Sequence, residues 1–206
     1  MTVAVSLAIE TLYAAFASAP RPTEIYHSPL KQLDTTPLLT KPLRTLTDDE
    51  LSSYAFSVFN TVDEADFAYF FPRLIELTHH EQSILHIELT YQKAIQDRWQ
   101  DWPIPRREAF QKYLDAVITS FVEEVQGDIA DRICGVGGLL DDLTERLCIL
   151  LQDTHAAREN LLTLHEDGGQ NHFWDKKRAS YLRYIAWLNS DAIFTRVLEI
   201  YADAGQ

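Results

Sequence analysis

No segment of this chain alternates apolar and polar residues as a half-buried strand does. Its hydrophobic residues recur at three- to four-residue spacing, and prolines and glycines cut that pattern into short lengths. A chain patterned this way has to bury helical stripes. Glycine usage agrees: there are 7 glycines, against about 14 at an average usage of about 7 %, and turn-rich β folds consume glycine. The expected fold is all-α, with about nine or ten helices in stacked antiparallel pairs, because short connections favour antiparallel neighbours. The arrangement is either irregular helical-repeat-like or an orthogonal bundle, since no fixed-period repeat runs through the sequence. A length of 206 residues fits a single helical domain, 1–206.

Residues 2–18 read as the first helix, with Leu7, Leu12, Ala15 and Phe16 near helical spacing and Pro20 as the stop. Five of the eight prolines then fall at positions 20, 22, 29, 37 and 42. Proline removes a backbone donor and clashes with the preceding turn, so 20–42 cannot be one long helix. It is expected to be an extended proline-rich arm with a turn near Leu30, joining the N-terminal helix to the main body. Ile25, Tyr26, Leu30, Leu33, Leu38 and Leu39 give it the apolar surface to dock. Thr47 and Glu50 then form a capping box, with Leu46 and Leu51 at the positions of a hydrophobic staple. A second box at 61–64 opens a helix whose stripe is Phe67, Phe70, Leu74 and Leu77. Pro72 lies inside it and is expected to kink it or split it after Tyr69.

Residues 82–99 follow as a helix with Leu85, Leu89, Ala94 and Trp99 inward. Trp102-Pro103 breaks the chain, and Pro105 suits the first position of a helix reaching Val125 on a stripe of Phe110, Leu114, Val117, Ile118 and Phe121. Further helices are expected over 128–133, 139–151, 153–165, 173–188 and 191–202. Gly135-Val136-Gly137-Gly138, Gly168-Gly169 and Asn189-Ser190 are the expected breaks.

The net charge is −13, from 18 basic and 31 acidic residues. A surface of this sign repels nucleic-acid backbones and anionic membranes and attracts a basic protein. Neither nucleic acid nor membrane is therefore expected as a partner. No run approaches the ~18 apolar residues of a membrane span. The apolar run at 3–9 lacks a basic leader and is interrupted by Glu10, so it reads as a cytoplasmic amphipathic helix rather than a secretion signal. Cys134 and Cys148 sit in apolar helical settings with no Cys-x-x-Cys or Cys/His pattern, which suits a reducing compartment.

The candidate metal ligands are His79, His80 and His86, with Glu81 and Glu88 nearby. Histidine and carboxylate are metal-ligating types, and His79 and His86 share a face if one helix carries both. The spacing from His80 to His86 is not that of a zinc protease, and histidine near a helix C-terminus is favourable through the dipole alone. No metal and no cofactor are therefore expected, and a metal-binding enzyme or sensor built on this region is the alternative reading. Asp141, Asp142 and Glu145, like Glu123 and Glu124, read as solvated faces. The glycine turn at 135–138 lacks the lysine of a phosphate-binding loop and follows no strand. No nucleophile-elbow motif is present. Trp174, Tyr181, Tyr184 and Trp187 cluster beside Lys176, Lys177 and Arg178. Such rings ordinarily build core, and where exposed they make an interface hot spot.

Four stretches carry a resemblance. They are Tyr54-Ala55-Phe56, then Phe67-x-x-Phe70-Phe71-Pro72-Arg73-Leu74, then Trp99-x-x-Trp102-Pro103 with Arg107-x-x-Phe110, and finally Trp187-Leu188 before a short last helix. Together they resemble a loosely defined group of uncharacterised bacterial all-helical proteins, over residues 43 to 206. The resemblance implies a bacterial cytosolic origin and an all-α fold, and it brings no catalytic residues. The function expected from charge and from the motifs is that of a non-enzymatic acidic protein-binding domain, immunity-like, antitoxin-like or an adaptor. A homo-oligomeric structural protein is a third reading.

Overall fold

The computed structural model describes residues 1–25, 34–58, 64–80 and 83–123, together with Val136, Leu139, Asn189, Asp191, Phe194, Thr195, Leu198 and Ala202. Among the described residues the fold is helical and contains no strand. Six α-helices follow one another: α1 (Val3–Phe16), α2 (Thr36–Thr40), α3 (Asp48–Val58), α4 (Glu64–Thr78), α5 (Ile87–Gln96) and α6 (Ile104–Glu123). Two 3-10 turns, Leu43–Thr45 and Trp99–Asp101, join them. Six is fewer than the nine or ten expected; the helices anticipated at 128–133, 153–165 and 173–188 lie outside the described residues. Contacts group the chain into two compact units, Met1–Tyr113 and Leu114–Gln206. No helix among the described residues is long and apolar enough to cross a membrane.

In the first unit, α1 starts at Thr2, whose hydroxyl accepts the Val5 amide at 3.3 Å. It buries Val5, Ala8, Ile9, Leu12 and Phe16 and packs on α4. Leu7 does not belong to this face and is 64 % exposed. Five positions separate it from Leu12, which turns it about 140° away at a helical period of about 100° per residue.

The two described ends of the proline-rich arm are docked: Pro22, Ile25 and Leu38 are buried. The arm is not extended throughout. One helical turn, α2, forms across Pro37, which sits in the first turn where its missing N–H costs nothing. The Arg21 guanidinium holds the end of that turn, donating to the Thr40 carbonyl at 3.3 Å, the Lys41 carbonyl at 2.6 Å and the Tyr69 hydroxyl at 3.0 Å. The turn expected near Leu30 lies outside the described residues.

The capping box of α3 forms on both sides. Glu50 accepts the Thr47 amide at 3.0 Å, and Thr47 Oγ1 accepts the Glu50 amide at 3.4 Å. The staple residues Leu46 and Leu51 are fully buried. The second box at 61–64 falls largely outside the described residues. α4 itself is not split after Tyr69 but runs through Pro72. Phe70 and Phe71 before the proline, and Leu74 and Ile75 after it, are all buried, so packing on both sides holds the helix across the missing hydrogen bond.

α5 is shorter at both ends than the periodicity of 82–99 suggests. At its start, the Asp48 carboxylate accepts the Ser83 hydroxyl at 2.8 Å and the Ile84 amide at 2.7 Å, fixing those residues ahead of a helix that begins only at Ile87. At its end, Arg98 adopts a left-handed conformation with φ of 46°, the only non-glycine residue with positive φ among the described residues. That conformation closes the helix as glycine usually does and passes Trp99 to a 3-10 turn. Leu85, Ala94 and Trp99 are buried as expected, while Leu89 is half-buried.

The core of this unit is aromatic. Phe71 lies with ring centroids 5.2 Å from Phe16, 5.3 Å from Phe67, 5.1 Å from Trp102 and 5.1 Å from Phe110. Phe110 continues the cluster to Trp99 at 5.3 Å, edge-on, and to Tyr113 at 6.1 Å, stacked. These tilted and edge-to-face pairings are the favoured aromatic geometries.

In the second unit, the later part of α6 carries buried Leu114, Val117 and Ile118, as its stripe predicts. Val136 is helical where the glycine turn is expected, and both it and Leu139 are buried. Asn189 lies in a turn and Asp191, Phe194, Thr195, Leu198 and Ala202 are helical, in agreement with a break before a final helix.

Two substitutions test this account by urea denaturation. Phe110→Ala should cost about 3–5 kcal/mol, the loss of a fully buried ring. Arg98→Gly should raise stability by about 1 kcal/mol by removing the penalty of a side chain in the left-handed region.

Candidate binding groove

The histidines chosen from the sequence do not assemble. His79 is half-buried just beyond α4, and its Nε2 shares a hydrogen bond of 2.8 Å with the Tyr113 hydroxyl. His80 is exposed in the following bend, and exposed His86 is the residue that caps α5. The helix that would have carried His79 and His86 on one face is broken between them. Glu76-Leu77-Thr78-His79 has the Glu-x-x-His spacing of di-metal centres in helical bundles. Here Glu76 is committed to Tyr13 and Arg73, and His79 to Tyr113. Among the described residues no group of three His, Cys, Asp or Glu side chains is placed to hold a metal ion. Trp174, Tyr181, Tyr184 and Trp187, the interface candidates, lie outside the described residues, as do Cys134, Cys148, Asp141, Asp142 and Glu145.

An open groove of about 570 Å³ runs along α1. Its walls come from Glu10, Tyr13 and Ala14 of α1 and Ala17 at its end, from Pro42 and the 3-10 turn residues Leu43 and Arg44, and from Tyr69 and Pro72 of α4. Helical geometry places Glu10, Tyr13 and Ala17 at three- and four-residue steps, hence on one face. That face meets the turn because Arg44 reaches across to it. The Arg44 guanidinium forms a bidentate pair with Glu10, with Nη1 to Oε1 at 2.7 Å and Nη2 to Oε2 at 2.5 Å. It also lies over the Tyr13 ring, 3.8 Å from the ring centre. Both partners of the pair are about half exposed, with side-chain exposures of 49 % for Arg44 and 58 % for Glu10. Such exposed pairs contribute about 0–1 kcal/mol.

Beneath the groove the Tyr13 hydroxyl donates to Glu76 Oε2 at 2.5 Å. Arg73 Nη1 donates to the same oxygen at 2.5 Å, while Arg73 Nε and Nη2 donate to the Leu46 carbonyl at 2.9 and 2.8 Å. The ring at the base of the groove is therefore tied through α4 to the residue preceding the capping box of α3.

The charges follow this geometry. The hydrogen bonds from Arg44 hold the Glu10 carboxyl below its ordinary range, and the same contact raises the Arg44 guanidinium. Lys41, with help from the Thr47 amide, holds Glu50 down in the same way. Burial pushes the Tyr13 phenol up, and its bond to Glu76 pushes it further. Burial also raises Tyr91 and Tyr113, which share a hydrogen bond of 3.2 Å.

None of the groove residues was selected as a site from the sequence. Glu10 is legible there only as an interruption of an apolar run, and its partner Arg44 lies 34 positions away. Periodicity carries no information about a contact of that range. No protein-family model, curated protein or solved structure matches the chain.

The three raised phenols predict an alkaline limb. Each stays protonated in the folded chain beyond the ordinary tyrosine value of about 10, while the unfolded chain ionises there. Their contribution to stability is complete below about pH 10 and is lost as pH rises further. Denaturant midpoints at about pH 9 and about pH 11 should show the fall, and Tyr91→Phe should reduce it. A profile flat across that interval in the unsubstituted protein would contradict the buried phenols.

Proposed function

We propose that this chain is a non-enzymatic protein-binding domain that recognises a basic partner, in the manner of an immunity protein, an antitoxin or an adaptor. The observation that carries the reading is the net charge of −13, which attracts a cationic surface and speeds encounter with it. The groove along α1 supports it. Its walls combine aromatic rings, prolines and a carboxylate, the composition of a shallow seat for partner side chains. The commitment of His79 to Tyr113 and of Glu76 to Tyr13 and Arg73 removes support from the alternative of a metal enzyme or sensor. The proposal extends to a bacterial cytoplasmic setting and to a scaffold of nine or ten helices in stacked antiparallel pairs, continuing beyond the six counted above.

The test is affinity capture from native cells at low salt, followed by association kinetics with the captured protein. A single basic protein should be recovered in stoichiometric amount, with an association rate that falls steeply as salt rises from low to physiological. Failure to retain any partner at low salt, or an association rate insensitive to salt, overturns the reading.

A further inference from the structure

The groove contains a guest of its own. A guanidinium is recognised most completely when a carboxylate takes two of its N–H groups in parallel and an aromatic face takes its plane. Glu10 and Tyr13 supply both, and the group they hold is Arg44. Three features make this more than a clasp. The platform is fixed before any guest arrives, since the Tyr13 hydroxyl is tied to Glu76 and through it to Arg73. The Glu10 carboxylate is more than half exposed, so it can be approached from solvent. Arg44 itself sits half exposed on a short 3-10 turn at the rim, free of the core packing that would hold it in place. The seat opens onto the groove walled by Tyr69, Pro42 and Pro72.

We propose that Glu10 and the Tyr13 ring form an arginine cradle, occupied in the free protein by Arg44 and taken over by an arginine side chain of the basic partner on binding. This rests on the reading of the chain as a binder of a basic protein and names the chemistry by which it recognises one. Arg44 acts as a self-ligand: it shields the carboxylate and the ring until a competing guanidinium displaces it. The long-range attraction of the −13 surface brings the partner in, and the cradle selects arginine over lysine. Lysine offers a point charge without the planar fork.

The test uses the full chain with tetra-arginine and tetra-lysine peptides as probes, titrated calorimetrically at one fixed ionic strength. Arg44→Ala vacates the cradle and should bind tetra-arginine about tenfold more tightly than the unsubstituted protein, with a smaller gain for tetra-lysine. Adding Glu10→Gln, which restores the original net charge, should abolish the gain. Because Arg44→Ala also loosens the turn, a second measurement is made on the unsubstituted protein. Saturation with tetra-arginine should release Arg44, seen as collapse of its ordered side-chain Nε–H signal in NMR spectra. An equal gain for both peptides, a gain that survives Glu10→Gln, or an Arg44 signal unchanged at saturation overturns the cradle while leaving the acidic-binder reading standing. Absence of binding to either peptide overturns both.

Discussion

The contact between Phe71 of α4 and Phe110 of α6 is the hinge on which the first unit depends. Around those two rings gather Phe16 from the end of α1, Phe67 from α4, Trp99 from the second 3-10 turn and Trp102 just after it. Phe67 and Phe110 lie within their helices, whereas the other rings come from a helix end, from beside a proline, or from a turn or just after it. Phe16 closes α1, Phe71 precedes Pro72, Trp99 opens the turn that follows the left-handed Arg98, and Trp102 comes directly after that turn. Large rings tolerate such irregular backbones because each can bury about 150–250 Å² on only two side-chain torsions. The Trp102 indole is fixed in addition by its Nε1–H donating to Asp97 at 2.9 Å, which holds the turn against the end of α5.

Around this core the chain uses its scarce cations as ties between segments that have few backbone hydrogen bonds of their own. Arg21 secures the end of α2, Arg73 the backbone ahead of α3, and Arg44 the 3-10 turn to α1. In each case the guanidinium satisfies carbonyls or a carboxylate that helix geometry alone would leave to solvent. In a chain with 31 acidic and 18 basic residues, such placement has an electrostatic result too: cations spent on internal ties leave the remaining carboxylates to define the outer potential.

Sequence reasoning succeeded where the cause is local. The Thr47–Glu50 box, the Leu46 and Leu51 pair, and the stripe of Phe67, Phe70, Leu74 and Leu77 are all set by neighbours within one or two helical turns, and each was legible. It failed where a distant group decides. Asp48 shortens α5 from 35 and 36 positions away, and nothing in residues 82–99 announces it. The break at Arg98 was hidden because arginine, unlike glycine, gives no sign of a left-handed backbone. The histidine region turns on the same point: His79 and His86 share a face only if one helix carries both, and α4 ends at Thr78 while α5 begins at Ile87. The groove was out of reach altogether, since its making depends on pairs 34 and 63 positions apart.

The chain of bonds from Tyr13 through Glu76 and Arg73 to the Leu46 carbonyl gives the base of the groove an unusual thermodynamic standing. A surface tyrosine normally samples several rotamers, and a partner that uses it has to freeze them. Here the torsional freedom of the ring is surrendered when the protein folds. Association against it therefore loses little conformational entropy on this side of the interface, and the disorder left to remove lies with the visiting side chain.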